Sequence, residues 1–374
     1  MWLKMLKEEK YFNKNLFIFG RPTASIFRKF VSLFQSFKFI KEKVKVSVAI
    51  INANNIKETR GCIRSILSTQ KIPVLILVLN NGSKEPITQL KEDIKKEGKC
   101  IETKKIGLGF LRINFELWQL SNIFLILADS DKNIGFCGGN NFLVSLSYLI
   151  GLDYCLILNN DARLTKNILA EMLEIIKKEK VFALSPQIFD KEGKTWYAGG
   201  NFSWYSYKYL KKPRSSFLYL TKVHSGCAFL VNVKDYIKLG GMEEALFFSL
   251  DEPYLARKIL KNKGKIMVAP QLSVIHRIGG TGGRAGSKIH DYFWTRNRLI
   301  YSLRYNFVLI HWFFIFIYSL MKIVKWSFWL MSGYKSRAKN EISAFRDFFK
   351  RNWWAGYLRE ELNALDFKKV IYGK

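Results

Sequence analysis

The sequence predicts an α/β fold, a mostly parallel sheet flanked by helices, and three observations predict it. Four apolar runs, "VKVSVAIINAN", "PVLILVLNNGS", "NIFLILADSD" and "LDYCLILNND", begin at Val44, Pro73, Asn122 and Leu152. They are continuous in apolar character rather than alternating, which marks strands buried on both faces. Segments of helical spacing lie between several of them, so the order reads strand, helix, strand, helix. Each run ends in Asn, Asp or Ser, at the carboxyl edge where ligands of such sheets bind.

The elements follow in order. Residues 1–43 form a basic, aromatic extension in which Ile26, Phe27, Phe30, Leu33, Phe34 and Phe37 share a helix face, with Phe39 on the polar side. This amphipathic helix either packs on the domain or lies on a membrane surface. After the first strand, Cys62, Ile63, Ile66 and Leu67 fall on one face of a helix. From about Val308 the run "VLIHWFFIFIYSLM" is roughly fourteen apolar residues, short of the ~20 that a spanning helix needs. Apolar character resumes around Lys322 and Lys325, and His311, Tyr318, Lys322 and Lys325 share one narrow stripe. An interfacial helix with snorkelling lysines, a tilted span and a core helix all remain open, the first being preferred. The tail after Tyr334 is basic and aromatic, which suits an anionic leaflet. The domains expected are therefore 1–43, 44–305 and 306–374.

A chain of 374 residues is ample for a real core, and 49% hydrophobic content with seven prolines excludes a disordered protein. The net charge of +31 favours anionic partners: nucleic acid, an acidic membrane face or phosphate-bearing substrates. No zinc-finger, helix-turn-helix or RNA-recognition pattern supports nucleic acid, so none is expected as a partner. The five cysteines are widely spaced without a C-x-x-C pair, which fits reduced thiols in the cytosol. The N-terminus lacks a sustained apolar segment and a cleavage site, so no signal peptide is expected.

Two motifs fail on inspection. "DSDKNIGFCGGN" puts Ile134 and Asn140 where a calcium loop needs Gly and Glu. "GGTGGRAGSK" does not satisfy the phosphate-loop spacing and reads as a cationic loop, with Arg284 and Lys288, that could close over a phosphate or be a surface turn. The hexapeptide "LILNND" alone reads more readily as a strand ending in a turn than as a cation site at the sheet edge.

Order resolves that ambiguity. "VSVAIINANN", "LILVLNNGS", "NIGFCGGNN", "LILNNDARL", "SGCAFLV", "LGGMEEALFFSLDEPYLARK", "VIHRIGG" and "YFWTRNRLIY" succeed one another between Val44 and Tyr305. Together they resemble a family 2 glycosyltransferase of the GT-A (Rossmann-like) fold, in its rhamnosyltransferase-like branch. The resemblance implies a nucleotide-diphosphate sugar as donor and Mg²⁺ or Mn²⁺ as cofactor. It makes Asp161 the last acid of a DxD-like metal motif, with Asn159 and Asn160 in the other places. It puts His276 near the metal or diphosphate, and Gly135, Gly138 and Gly139 against the donor. It sets Arg296 and Asn297, the end of an aromatic-aromatic-x-x-Arg-Asn motif, on the diphosphate. Asp129-Ser130-Asp131 spells DxD but precedes the glycine loop, so it is not the metal site.

A transferase also needs a base for the acceptor hydroxyl. Aligned without a gap, "LFFSLDEPYLARK" puts Asp251 in the family's Glu place and Glu252 in the Asp place, with Tyr254 and Lys258 replacing a following Asp and Arg. Glu is one methylene longer, which shifts its carboxylate by about 1–1.5 Å, and either acid could be the base. Asn80 stands where the family has a nucleobase-binding Asp, and Asn52 and Asn54 line the expected nucleotide cleft. The expected function is a metal-dependent inverting transfer of a sugar to a polysaccharide or lipid-linked glycan of the cell envelope. The enzyme is expected in the cytoplasm, peripherally held on the inner face of the membrane. An inactive GT-A-like scaffold binding a sugar nucleotide or partner enzyme is the alternative.

Overall fold

The computed structural model describes residues 37–85, 87–108, 111–203, 206–277, 287–306 and 308–350. The expected helix over residues 25–42 and the "GGTGGRAGSK" loop fall mostly outside them. Helix α1 (Lys38–Lys43) is the described remnant of the former, and Phe37 and Ile40 are buried there while Phe39 is exposed.

The four apolar runs form β1 (Val46–Asn52), β2 (Val74–Asn81), β5 (Ile123–Ser130) and β6 (Tyr154–Leu158). They are mutually parallel in the order β6-β1-β2-β5. Helix α2 (Ile56–Thr69) follows β1, and α3 (Thr88–Glu97) follows β2. Strands β3 (Lys99–Leu108) and β4 (Leu111–Leu120) extend the β5 edge as an antiparallel meander that the sequence reading did not foresee. Helix α4 (Gly135–Ile150) leads to β6 and β7 (Ala162–Leu164), then α5 (Ile168–Glu179).

The other half of the sheet is mixed. It comprises β8 (Ala183–Asp190), β9 (Thr195–Tyr197), β12 (Tyr219–Leu220), β13 (Ala228–Asn232) and β14 (Ile266–His276), in the order β12-β14-β8-β13-β6. A separate hairpin pairs β10 (Gly200–Phe202) with β11 (Tyr207–Tyr209). Parallel pairing therefore dominates the centre, and β8–β14 adds a further parallel pair.

Side chains alternate across the strands, as the pleat requires. Val46, Val48 and Ile50 join the core under α2 and α5, whereas Ala49, Leu75, Leu77 and Leu79 join the core under α4. Both faces are thus dry. Chain order runs outward from β1 through β2 to β5, then returns to place β6 on the other side of β1. In sheets with such a reversal ligands bind outside the carboxyl ends of the strands that flank it, here β1 and β6.

Helices α6 (Val233–Leu239) and α7 (Asp251–Lys261) precede three long C-terminal helices: α8 (Lys288–Tyr305), α9 (Val308–Met331) and α10 (Lys335–Lys350). The expectation of snorkelling lysines on α9 needs correction at Lys322. It is buried and pairs with Glu341 of α10 at 2.7 Å, because α10 folds back along that stripe and supplies the counter-ion.

Candidate functional site

Parallel register puts Asn52, Asn80 and Asp129 side by side at the carboxyl ends of β1, β2 and β5. Asn52 Nδ2 donates to Asn80 Oδ1 (2.7 Å), and Asn80 Nδ2 donates to Asp129 Oδ1 (2.7 Å). Asn52 Oδ1 accepts from the Thr59 hydroxyl (2.9 Å), which also accepts from Asn160 Nδ2 (3.0 Å). This chain of amides ties the β1, β2, β5 and β6 ends into one rigid rim. Asn54, at φ 58°, lies just beyond it and binds Ser83 and the Lys84 backbone N–H through its side-chain oxygen. Asn80 engages protein neighbours through both side-chain atoms, and Asp129 is the carboxylate at the end of the row. Asp129 and Asp131 thus serve the rim and the Arg112 backbone N–H respectively.

Beyond β6 the chain turns sharply. The Asn159 backbone N–H donates to the Cys227 carbonyl (2.8 Å), and that of Ala162 closes the turn on the Asn159 carbonyl. Strand β7 then pairs with the end of β14, with Ala162 opposite His276. This pairing brings Asp161 Oδ1 within 3.1 Å of His276 Nε2, both side chains being nearly buried. Burial opposes charge on His276, but Cys227 and the Asp161 carboxylate outweigh it and raise its pKa to about 10. Arg163 pairs with Glu58 of α2, and Arg277 Nε lies 3.9 Å from the same carboxylate.

Aromatic rings connect this pair to the second acidic position. The Trp196 ring stands edge-on to His276 (4.9 Å between centroids) and to Tyr209 (5.0 Å). Tyr209 Oη donates to Glu252 Oε1 (3.0 Å). Gly226, next to Cys227, lies against the Glu252 carboxylate, where an added Cβ would come within 2.7 Å of Oε1. Asp161, His276, Trp196, Tyr209 and Glu252 therefore form one continuous wall.

The two acids at the start of α7 differ. Asp251 is 3% exposed and its Oδ2 has no hydrogen-bond partner. Burial, reinforced by the neighbouring Glu252 charge, holds its pKa well above the usual carboxylate range. Burial also raises Glu252, but its own backbone N–H and the Tyr209 and Tyr207 hydroxyls stabilise the carboxylate. Glu252 thus has hydroxyl donors to its carboxylate that Asp251 lacks.

The loop feeding these acids is strained. Phe247, Ser249 and Leu250 have φ of 62°, 69° and 61°, a region costly for residues with a Cβ. Arg296 and Asn297, expected on a diphosphate, here hold that loop through its main-chain carbonyls. Arg296 is 1% exposed, and its guanidinium donates to the carbonyls of Ala245 (2.7 Å) and Leu246 (2.9 Å). Asn297 Nδ2 donates to the carbonyls of Leu246, Phe248 and Ser249. Arg296 also donates to Asn297 Oδ1, so the two side chains act on the loop as one unit.

The glycines face protein. The Phe247 carbonyl accepts from the N–H groups of Phe136 and Cys137 at the start of α4. Gly135 has φ +79°, and a Cβ there would come within 2.6 Å of both the Phe247 ring and its carbonyl oxygen. Gly139 lets α4 sit on Ile51 and Leu79, and Gly138 is buried within the same helix. Gly135→Ala is accordingly expected to destabilise the protein by about 2–4 kcal/mol through strain and overpacking. Chemical denaturation would measure it, and a change below about 0.5 kcal/mol would contradict this packing.

Asp161 and His276 supply an oxygen and a nitrogen from adjacent strand ends, and His276 Nδ1 is buried without a hydrogen bond. Among the described residues no group of three or more His, Cys, Asp or Glu is placed to hold a metal. Two protein donors fit a cation such as Mg²⁺ or Mn²⁺ that takes its remaining ligands from water and phosphate.

No family model matches the chain, and no curated protein matches it. Solved structures that match include GalNAc-T7 with UDP, GalNAc and Mn²⁺, at 15% identity and a TM-score of 0.49 over 68% of this chain and 50% of that one. TarS of S. aureus, residues 1–349 with UDP, matches at 13% identity and a TM-score of 0.45 over 69% of this chain and 65% of that one. Another structure of TarS 1–349 matches at 13% identity and a TM-score of 0.44 over 87% and 81%. The matched part spans half the length of the GalNAc-T7 chain.

Sequence reasoning missed Trp196, Tyr207, Tyr209, Thr59 and Glu58. The signal available was the aromatic clustering of "TWYAGG" and "YSYKY", short segments without helical or strand length.

Proposed function

We propose that the chain is a metal-dependent, inverting glycosyltransferase that takes its sugar from a nucleotide-diphosphate donor. The observation that carries this reading is the wall joining Asp161 and His276 to Glu252 at the carboxyl edge of the parallel strands. The motif order, with its resemblance to family 2 glycosyltransferases, supports it independently.

In this reading the acceptor hydroxyl attacks the anomeric carbon while the bond from that carbon to the diphosphate oxygen breaks. Glu252 takes the hydroxyl proton, and Tyr209 fixes the direction in which its carboxylate points. A bound divalent cation, held by Asp161 and by His276 once the cation has displaced its proton, would supply charge neutralisation for the departing diphosphate. In the rim beside it Asn52 and Asn80 are buried and bonded to one another, and the half-buried Asp129 carboxylate is the group that faces the nucleotide in this reading. We assign the acceptor to the polysaccharide or lipid-linked glycans of the cell envelope. The cytoplasmic side is the assigned location, in keeping with five free cysteines and a +31 charge.

The test is donor turnover by the purified chain against a panel of nucleotide-diphosphate sugars, with and without Mn²⁺. Turnover with one donor, falling at least about a hundredfold in Asp161→Ala, is expected. Donor-induced thermal stabilisation without turnover under any condition would instead identify a sugar-nucleotide-binding scaffold.

A further inference from the structure

Helix α9 is built inside out for a helix in water. His311, Tyr318 and Lys322 are buried, whereas Leu309, Phe313, Phe316, Val324 and Phe328 are each more than half exposed. We propose that this outward apolar face lies in the plane of an anionic lipid bilayer, embedded to about the depth of one helix face.

The buried polar stripe decides between lying in the bilayer surface and crossing it. The helix has 24 residues, about 36 Å at the α-helical rise, so length alone permits a span. Its inner side, however, is fastened along its length to its neighbours. His311 Nδ1 meets Ser302 Oγ of α8 at 3.1 Å, and Lys322 Nζ reaches Thr295 Oγ1 of α8 at 3.3 Å. Glu341 of α10 accepts from Lys322 and from Trp326 Nε1. Helices α8 and α10 are themselves joined by Arg337 and Asp291 at 2.8 and 3.1 Å. A crossing α9 would drag these ion pairs into hydrocarbon, whereas a helix lying flat keeps them on the protein side.

Charge selects the bilayer over a second copy of the chain. Helix α9 contains no Asp or Glu. The acids of α10 are Glu341, which is buried, and Asp347, which bonds Tyr292 and Arg346. Lys325, Lys335, Lys339 and Arg346 on α9 and α10 are exposed cations, of which Lys325 reaches Glu341 at 3.4 Å and Arg346 reaches Asp347 at 3.5 Å. Two copies of a +31 chain meeting through such a face would repel, while an anionic leaflet complements it. Trp312 and Tyr334, both more than 49% exposed near the two ends, suit the headgroup level. Because α8 also carries Arg296, the surface so placed lies beside the clamp on the acidic loop.

The experiment uses the full chain and vesicles of phosphatidylcholine with or without phosphatidylglycerol. Wild type is expected to float with the phosphatidylglycerol-containing vesicles and to be released by alkaline carbonate. The triple variant Phe313→Glu, Leu320→Glu, Val324→Glu, changed only at exposed positions, is expected to bind at least about a hundredfold more weakly. In wild type, brominated lipids are expected to quench tryptophan fluorescence. The inference is overturned if wild type does not float, if the variant floats equally, or if the protein resists carbonate as a spanning chain does. It is likewise overturned if lipid-free wild type is a dimer that the variant splits.

Discussion

Glu252→Gln is expected to lower kcat for sugar transfer by about a hundred- to ten-thousandfold, with donor affinity changed by less than about threefold. The amide keeps the size of the side chain and can still accept from Tyr209, so the wall survives while the proton acceptor is lost. Asp251→Asn should be mild by comparison. Burial and the adjacent Glu252 raise the pKa of Asp251 well above the ordinary carboxylate range, so an amide replaces a group whose neutral form its surroundings favour. The pH profile gives the sign. Burial raises the Glu252 pKa, so wild-type activity should climb with pH along a limb lying above pH 4.5, the value for a free Glu. Stability runs the other way. A carboxyl whose folded pKa is raised loses stability as pH rises from its unfolded towards its folded value. Glu252→Gln should therefore be inactive yet more heat-resistant than wild type on the alkaline side of that window. An Asp251→Asn enzyme that is dead beside an active Glu252→Gln would transfer the base to Asp251.

The central strands were legible because a strand buried on both faces leaves a continuous apolar run, and four such runs ending in amides or acids admit few topologies. Strands β3 and β4 were hidden, since "KCIETKKIGL" and "LRINFELWQL" mix charge with apolar residues and no run stands out. Asp161 and His276 could be singled out individually. Their contact depends on β7 pairing with the end of β14 more than a hundred residues later, which no local pattern records. The polar stripe of α9 was visible, but its direction was not. Whether lysines face water or a partner depends on where α10 lies, and Glu341 settles it. Arg296 marks the same limit, since its acceptors across the loop are main-chain carbonyls fifty residues earlier and carry no side-chain signature.

Arg296→Ala is expected to destabilise the protein by about 3–5 kcal/mol. The buried Ala245 carbonyl would lose its donor, at about 1–3 kcal/mol, the Leu246 carbonyl would keep only its bonds from Asn297 and the Phe248 N–H, and the ring stacking of Phe247 on Phe293 would lose its neighbour. Arg296→Lys separates positioning from folding. A lysine reaches one carbonyl but lacks the planar fork, so the chain should fold while the 245–250 loop relaxes. The expected signature is a fall in kcat of about tenfold or more with little change in donor KM, because a displacement near 1 Å at the reacting groups has that effect. Relief of strain gives the decisive comparison. Ser249 has φ 69°, so Ser249→Gly removes about 1 kcal/mol of backbone strain and should restore part of the stability lost in Arg296→Lys. It should not restore kcat, because a relaxed loop has no reason to return Glu252 to Tyr209. Recovery of both together would mean that Arg296 acts on the fold alone; recovery of stability without rate would show that the strained loop is held for the sake of the carboxylate it presents.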